Sequence, residues 1–179
     1  YLEESQHEVD DTTGIAIDRA GTLLFYAWNE NGASAVRLRY LKTGLVELFR
    51  GLPRGVVGTG SFNGDGAKVA FSYSSPAINS DVWVLSRGGV KPAVAGAAAR
   101  REQAEARQVT HSTPAGIPAS SLVTPEMVSY TSFDGTSIPA FFYLPRGAQK
   151  DGKLPAIVYV HGGPESQERA GFSAAFQYF

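Results

Sequence analysis

The feature that most constrains this chain is an internal repeat with an offset of 45 residues. Residues 14–49 superpose on residues 59–94 without a gap. Apolar residues and turn glycines coincide at equivalent positions: Ile17 and Phe62, Gly21 and Gly66, Leu24 and Val69, Leu38 and Trp83, Gly44 and Gly89. The alternative is a chance similarity between two meanders, and the agreement across 36 aligned pairs argues against it. The repeat therefore predicts two copies of one structural unit.

Short alternating segments between Asn-Gly, Asp-Gly and Gly-Gly turns predict four strands in each copy. The predicted strands are 15–17, 23–27, 35–41 and 45–49, then 56–62, 68–73, 81–85 and a fourth near 90–94. A repeat of about 40–50 residues with four strands is typical of a β-propeller blade. We therefore expect three equivalent pairs to be buried together: Leu38 with Trp83, Leu24 with Val69 and Ile17 with Phe62.

The segment after the second copy does not fit the repeat. Residues 95–107 are rich in alanine and mixed charges, which predicts a short surface helix. Residues 108–110 favour a strand, an alternative candidate for the fourth strand of the second blade. Residues 111–126 contain three prolines, which interrupt both helices and strand ladders and predict a semi-rigid linker.

The pattern changes in the last third of the chain. Residues 128–132 and 138–144 flank an Asp-Gly turn and predict a β-hairpin. Residues 155–160 are continuously apolar, which suits a strand covered on both faces within a mostly parallel sheet. Phe172, Phe176 and Phe179 recur at helical spacing. The predicted order is hairpin, buried strand, glycine turn and helix.

The glycine turn consists of His161, Gly162 and Gly163, directly after the apolar strand. When a serine attacks an acyl carbon, negative charge develops on the carbonyl oxygen, and backbone N–H groups must point at it. Glycines keep such a loop free of side chains that would block the approach. In α/β-hydrolases one of these donors comes from the loop after the third strand. The pattern therefore predicts an oxyanion loop, with His161 in a structural role at its start.

The segments SYTSFDGTSIPAFFYLP and LPAIVYVHGGPESQERAGFSAAFQYF resemble the opening of the hydrolase domain in the prolyl oligopeptidase family of serine peptidases. DVWVL and RQVTHS resemble the end of that family's propeller. Several members carry tyrosine where this chain has His161, and the histidine makes the chain more similar to the acylaminoacyl-peptidase branch. The resemblance implies two parts: 1–126, the last propeller blades with a linker, and 127–179, the start of an α/β-hydrolase domain.

The resemblance also implies hydrolysis of short peptides, or release of blocked N-terminal residues, with the Gly163 N–H as an oxyanion donor. The family's serine, aspartate and histidine are not matched here, and we expect a chain cut at both ends with its triad beyond Phe179. The string around Ser173 lacks a preceding strand, so Ser173 is predicted to start a helix. Alternatives are a non-catalytic propeller-containing binding protein and an esterase of the same fold.

The resemblance implies that both sheet neighbours of residues 155–160 follow in sequence, beyond Phe179. We therefore expect 155–160 either to be extended without a native partner or to pair with 138–144. Trp83 and Tyr159 are predicted to be core residues and His111 a surface residue.

Composition narrows the function classes. A net charge of −1 offers no basic field for nucleic acid, and no apolar run is long enough for a membrane span. The chain has no cysteine, which excludes disulfides and thiolate sites. We expect no metal and no cofactor. The expected substrate is an oligopeptide, and oligomerisation stays open for the complete protein. The compartment stays open: the cytoplasm is the first expectation, and the periplasm or secretion are alternatives because a leader could precede Tyr1.

Overall fold

A computed structural model describes six stretches of the chain: residues 14–49, 52–87, 105–113, 116–149, 152–163 and 166–179. The first stretch contains an antiparallel sheet whose strands follow in sequence order: β1 (Ala16–Ile17), β2 (Leu23–Glu30), β3 (Ala33–Tyr40) and β4 (Val46–Leu48). Asn31 and Gly32 form the β2–β3 turn, and both have positive φ, as a two-residue hairpin requires. The four predicted strands of the first copy are confirmed.

The second sheet has the same order and direction: β5 (Val56–Phe62), β6 (Lys68–Ser75), β7 (Ile78–Ser86) and β8 (Glu105–Gln108). Its fourth strand comes from Glu105–Gln108, so the helix predicted for 95–107 is wrong at 105–107. Pairing with the open edge of β7 outweighs the helical preference of this short segment. The strand predicted near 90–94, and the rest of the predicted helix, lie outside the described residues.

The first turn of each sheet repeats closely. Gly21 and Gly66 have φ of +66° and +69°, and their N–H groups donate to the carbonyls of Asp18 and Asn63. Both pairs of residues are 45 positions apart. The two sheets are therefore structurally equivalent at this end, and two four-stranded meanders are compatible with propeller blades.

A β-bulge breaks the equivalence further along. Between the pairs Tyr73–Asp81 and Ser75–Ile78, β6 has one intervening residue and β7 has two. The inward-facing residues of β6 are therefore one position out of step with those of β2.

The bulge explains how the three predicted buried pairs turned out. Leu38 and Trp83 are both buried, as predicted. Val69 is buried, whereas Leu24 is half-buried. Ile17 is 58% exposed, so its predicted burial with half-buried Phe62 is wrong. Ile17 pairs with Leu24, and Ala16 pairs with the core residue Phe25, so Ile17 lies on the opposite face of the sheet.

The two sheets share one hydrophobic core. Its buried members are Phe25, Val36, Leu38, Val57, Val69, Phe71, Tyr73, Trp83 and Leu85. The rings of Phe25 and Phe71 lie 5.4 Å apart across the two sheets. A Cβ added at Gly60 would lie 2.9 Å from the Phe25 ring, so a side chain there would displace it. The close approach of the sheets thus depends on a residue without a side chain.

The last third contains a hairpin and a short helix. Strands β9 (Glu126–Thr131) and β10 (Ser137–Phe142) pair antiparallel around Gly135, whose φ is +88°, which confirms the predicted hairpin. Helix α1 spans Ala174–Tyr178, as the phenylalanine spacing predicts. Within the described ranges every strand pair is antiparallel, so these residues do not form the parallel sheet of an α/β-hydrolase.

Candidate functional site

The loop predicted from the sequence directly follows the apolar segment 155–160. Gly163 has a φ of +71°, which a residue with a side chain rarely adopts. Gly162 and Gly163 are exposed, and a Cβ at either would meet nothing within 4 Å. His161 is half-buried, and its Nδ1 lies 3.4 Å from the carbonyl oxygen of Gly162. Backbone conformation, and not crowding, is therefore what requires glycine at position 163.

The segment before the loop, residues 155–160, forms no strand and has no strand partner among the described residues. The missing partner agrees with the first of the two outcomes expected from the sequence, but the predicted buried strand is not formed by these residues. Its side chains are exposed, from 62% at Tyr159 to 85% at Val158. The prediction that Tyr159 is a core residue is therefore wrong, because its side chain is 62% exposed.

Tyr159 nevertheless has an aromatic partner on helix α1. Its ring centroid lies 5.1 Å from that of Phe176, in an edge-to-face arrangement. The Tyr143 ring lies 5.6 Å from the same Phe176 ring. Burial, followed by the nearby negative charge of Glu168, raises the pKa of Tyr143. These three rings connect the end of β10, the segment before the loop and the helix after it.

Helix α1 begins at Ser173. The Ser173 hydroxyl oxygen accepts a hydrogen bond of 3.3 Å from the Phe176 N–H, and its backbone is extended, as an N-cap requires. The prediction that Ser173 starts a helix is confirmed.

Residues 166–179 run across the tips of both sheets. The Ala170 N–H donates to the Gly32 carbonyl at the β2–β3 turn over 2.6 Å. The Phe172 N–H donates to the Ser74 hydroxyl, near the β6–β7 turn, over 2.9 Å. A Cβ at Gly32 would lie 2.9 Å from both the Glu168 carbonyl oxygen and the Phe141 ring. Residues 166–179 therefore contact both sheets, and the Gly32 turn lies close to Glu168 and to Phe141 of β10.

Gln177 makes a contact that sequence reasoning missed. Its side-chain amide bonds to the backbone of Val123, in the predicted linker, and of Pro76, at the β6–β7 turn. A lone glutamine in an apolar helix carries no recognisable signal, because its partners are 54 and 101 positions away.

An open pocket of about 260 Å³ lies beside the β2–β3 turn. Glu30 and Arg54 bring one carboxylate and one guanidinium group to its lining. The Arg54 side chain donates to the Asn31 carbonyl. Sequence reasoning did not identify this pocket, because the turn and Arg54 come together only through packing of the two sheets.

Two buried carboxylates, Asp18 and Asp81, lie elsewhere and accept several hydrogen bonds each. Burial opposes ionisation of Asp18, but hydrogen bonds from the Leu23 N–H and from Thr22 outweigh it and lower its pKa. Burial likewise opposes ionisation of Asp81, but the Thr110 hydroxyl and other donors lower its pKa. Asp18 is engaged by residues of its own turn and Asp81 by residues in and just after β8, which is the pattern of structural residues.

Across the part of the chain that the structure describes, no three metal-binding side chains cluster together. In the same residues no helix combines the length and the apolar character that a membrane span needs. His111 is exposed, as predicted.

The geometry defines a β-rich chain that carries an exposed glycine loop between an apolar segment and a helix. Comparison with known proteins finds 46% identity over 48 residues to a prolyl endopeptidase of Elizabethkingia meningoseptica and, equally, to one of Elizabethkingia miricola. Each match spans 27% of this chain and only 7% of the relative. No family model matches the chain. This partial similarity agrees with the resemblance to the prolyl oligopeptidase family, and the assignment to its acylaminoacyl-peptidase branch stays a prediction.

Proposed function

We propose that the chain is part of a serine peptidase of the prolyl oligopeptidase family. In this proposal residues 1–126 are propeller blades with a linker, and residues 127–179 open the α/β-hydrolase domain. The observation that carries the proposal is the 46% identity over 48 residues to prolyl endopeptidases. The exposed His161-Gly162-Gly163 loop after an apolar segment supports it. The catalytic triad is supplied by residues of the complete protein outside this chain.

The Gly163 N–H acts as an oxyanion donor in this proposal. Preorganised backbone donors stabilise the charge that develops on the carbonyl oxygen of the substrate in the transition state. The positive φ at Gly163 fixes the direction in which this part of the loop presents its peptide groups. The unpaired segment 155–160 enters the sheet of the complete domain, whose other strands cover its exposed side chains.

Replacement of Gly163 in the complete protein tests this role. Gly163→Pro removes the N–H and is expected to lower kcat by about 10²–10³-fold, with less effect on KM. Gly163→Ala keeps the N–H and meets no atom within 4 Å, so it bears only the backbone strain and loses less activity. Gly162→Ala is the matched control, because it also has open space and has no positive φ. A folded Gly163→Pro enzyme with near-normal kcat would contradict the assignment.

Activity assays on the complete protein also separate the peptidase from the competing functions. A peptidase hydrolyses a chromogenic peptide and loses that activity to a serine-directed phosphonate. Turnover of esters without turnover of peptides favours the esterase. Absence of both turnover and phosphonate labelling favours the binding protein. Chain 1–179 by itself is expected to be inactive, because an oxyanion loop stabilises charge only after a nucleophile has attacked.

The substrate class is tested by competition between two substrates. The names of the relatives suggest cleavage inside a peptide at proline, whereas the histidine at position 161 suggests release of a blocked N-terminal residue. A peptide blocked at both ends with an internal proline, and an N-acetylated amino-acid anilide, distinguish the two. We propose the second activity, and preferential cleavage of the first peptide would refute it.

A further inference from the structure

The side-chain amide of Gln177 makes three hydrogen bonds to the backbone. Its Oε1 accepts from the Val123 N–H over 2.8 Å. Its Nε2 donates to the Val123 carbonyl over 2.8 Å and to the Pro76 carbonyl over 2.9 Å. Both amide hydrogens and one oxygen lone pair are therefore engaged, and the amide orientation follows from its partners.

These bonds join three distant parts of the chain. Pro76 lies in the β6–β7 turn of the second sheet, and Val123 lies in the segment that leads from the sheets to the hairpin β9–β10. Gln177 itself lies in helix α1. Val123 is held in turn next to Leu122, which is buried and whose carbonyl accepts from Arg146 over 3.1 Å. Gln177 thus holds helix α1 against the segment around Val123, which burial of Leu122 and the bond from Arg146 keep in place.

Phe176, the neighbour of Gln177 in helix α1, connects the helix to the segment before the glycine loop. Phe176 contacts Tyr159 with ring centroids 5.1 Å apart, and Tyr159 lies two positions before His161. Among the described residues no strand pairs with 155–160. Among these residues the aromatic contact therefore restrains where the segment lies, and in the complete domain of the proposed function it acts together with the neighbouring strands.

We propose that Gln177 is a positioning residue, through which the second sheet and the linker hold the segment that carries the His161–Gly163 loop. The path runs from Pro76 and Val123 to Gln177, then through Phe176 to Tyr159. The catalytic part of this inference rests on the proposed peptidase function. The positioning part concerns only the described contacts and is measured without any activity.

The first experiment measures position directly in the chain as given. The chain has no cysteine, so Val158→Cys and Val82→Cys provide two unique sites for spin labels. Both side chains are exposed, at 85% and 40%, and they report the distance between the segment and the second sheet. Gln177→Glu, which replaces the two N–H donors with an oxygen facing two carbonyls, is expected to broaden or shift the distance distribution. Gln177→Met, which removes the bonds without adding charge, is expected to do the same.

Gln149→Glu is the matched control, because Gln149 is exposed and the charge change is identical. It is expected to leave the distance unchanged. Urea unfolding followed by tryptophan fluorescence checks that both sheets stay folded in every variant. An unchanged distance in folded Gln177→Glu and Gln177→Met overturns the proposal. Global unfolding of both variants also overturns it, because it would make Gln177 a general stability residue.

The second experiment uses the complete enzyme. Gln177→Met is expected to lower kcat while KM stays near the parent value, since the loop acts in the transition state. A fall in kcat that is matched by an equal loss of folded protein contradicts a positioning role. If the complete protein has no peptidase activity, the spin-label distances still decide whether Gln177 positions the segment.

Discussion

Replacement of Asp81 tests how the second sheet holds its last strand. The Asp81 side chain is only 3% exposed. One carboxylate oxygen accepts from the Thr110 hydroxyl over 2.7 Å and from the Ser112 N–H over 2.8 Å, and the other accepts from Gln108 over 3.0 Å. All three donors lie in or just after β8. Asp81→Asn keeps the shape and removes the charge, whereas Asp81→Ala removes every acceptor.

The magnitude follows from the three bonds. A hydrogen bond to a charged group contributes about 1.5–3 kcal/mol and a neutral one about 1 kcal/mol. Relief of the buried charge offsets part of that difference. Asp81→Asn is therefore expected to lower the free energy of unfolding by about 2 kcal/mol at pH 7. Asp81→Ala is expected to cost more, about 3 kcal/mol, because three donors lose their acceptor.

The effect depends on pH in a defined direction. The hydrogen bonds hold the pKa of Asp81 below its ordinary value of 3.8 in the folded chain, even though burial opposes this. The carboxylate therefore stabilises the folded state above the unfolded pKa, and this stabilisation is lost as pH falls through the folded pKa. The difference in the free energy of unfolding between the parent chain and Asp81→Asn is expected to have its full size near pH 6 and to shrink below about pH 3.8.

Urea unfolding followed by tryptophan fluorescence, at several pH values, measures this difference. Trp83 lies two residues from Asp81 on β7. Asp65→Asn is the control, because Asp65 is an exposed turn residue and loses the same charge. Its effect is expected to stay within about 0.5 kcal/mol. A parent-to-variant difference that stays constant from pH 6 to pH 3 would refute the role assigned to the carboxylate.

Two further predictions concern the core between the sheets. Gly60→Ala is expected to lower the free energy of unfolding by about 1–3 kcal/mol, because its Cβ would lie 2.9 Å from the buried Phe25 ring. Gly64→Ala is its control in urea unfolding, since a Cβ there meets nothing within 4 Å, and an equal loss in both variants would contradict the packing argument. Phe71→Ala is expected to cost about 3–5 kcal/mol by the same measurement. Phe133→Ala, at a fully exposed side chain, is expected to change stability by less than about 0.5 kcal/mol, and equal effects would argue against the assigned core.

Local signals predicted most strands, because turn chemistry and alternation are properties of neighbouring residues. Gly21 and Gly66 marked equivalent turns correctly. The bulge in β7 could not be predicted, since an inserted residue in one strand is visible only in the pairing with its neighbour. For the same reason Ile17 was assigned to the wrong face. The helix predicted at 105–107 failed because an open sheet edge is a tertiary feature.

The glycine loop was found from the sequence because its residues are consecutive. Gly163 has the positive φ that favours glycine. The contacts that hold the loop's surroundings were not found, because they join residues far apart in sequence. Gln177 and Pro76 are 101 positions apart, and nothing in either local sequence indicates the other. The orientation of Tyr159 likewise depends on which strands surround it.

The connection that precedes β8 has a consequence for the order of folding. Five residues separate β3 from β4, whereas 18 residues separate β7 from β8. Closing the longer loop costs about 1.1 kcal/mol more chain entropy, so pairing of β8 is expected to follow pairing of the other strands. During synthesis the first sheet is complete once Leu48 has emerged, but the second must wait for Gln108. Until then one edge of β7 offers unpaired backbone groups, and it is there that pairing with another chain competes with folding.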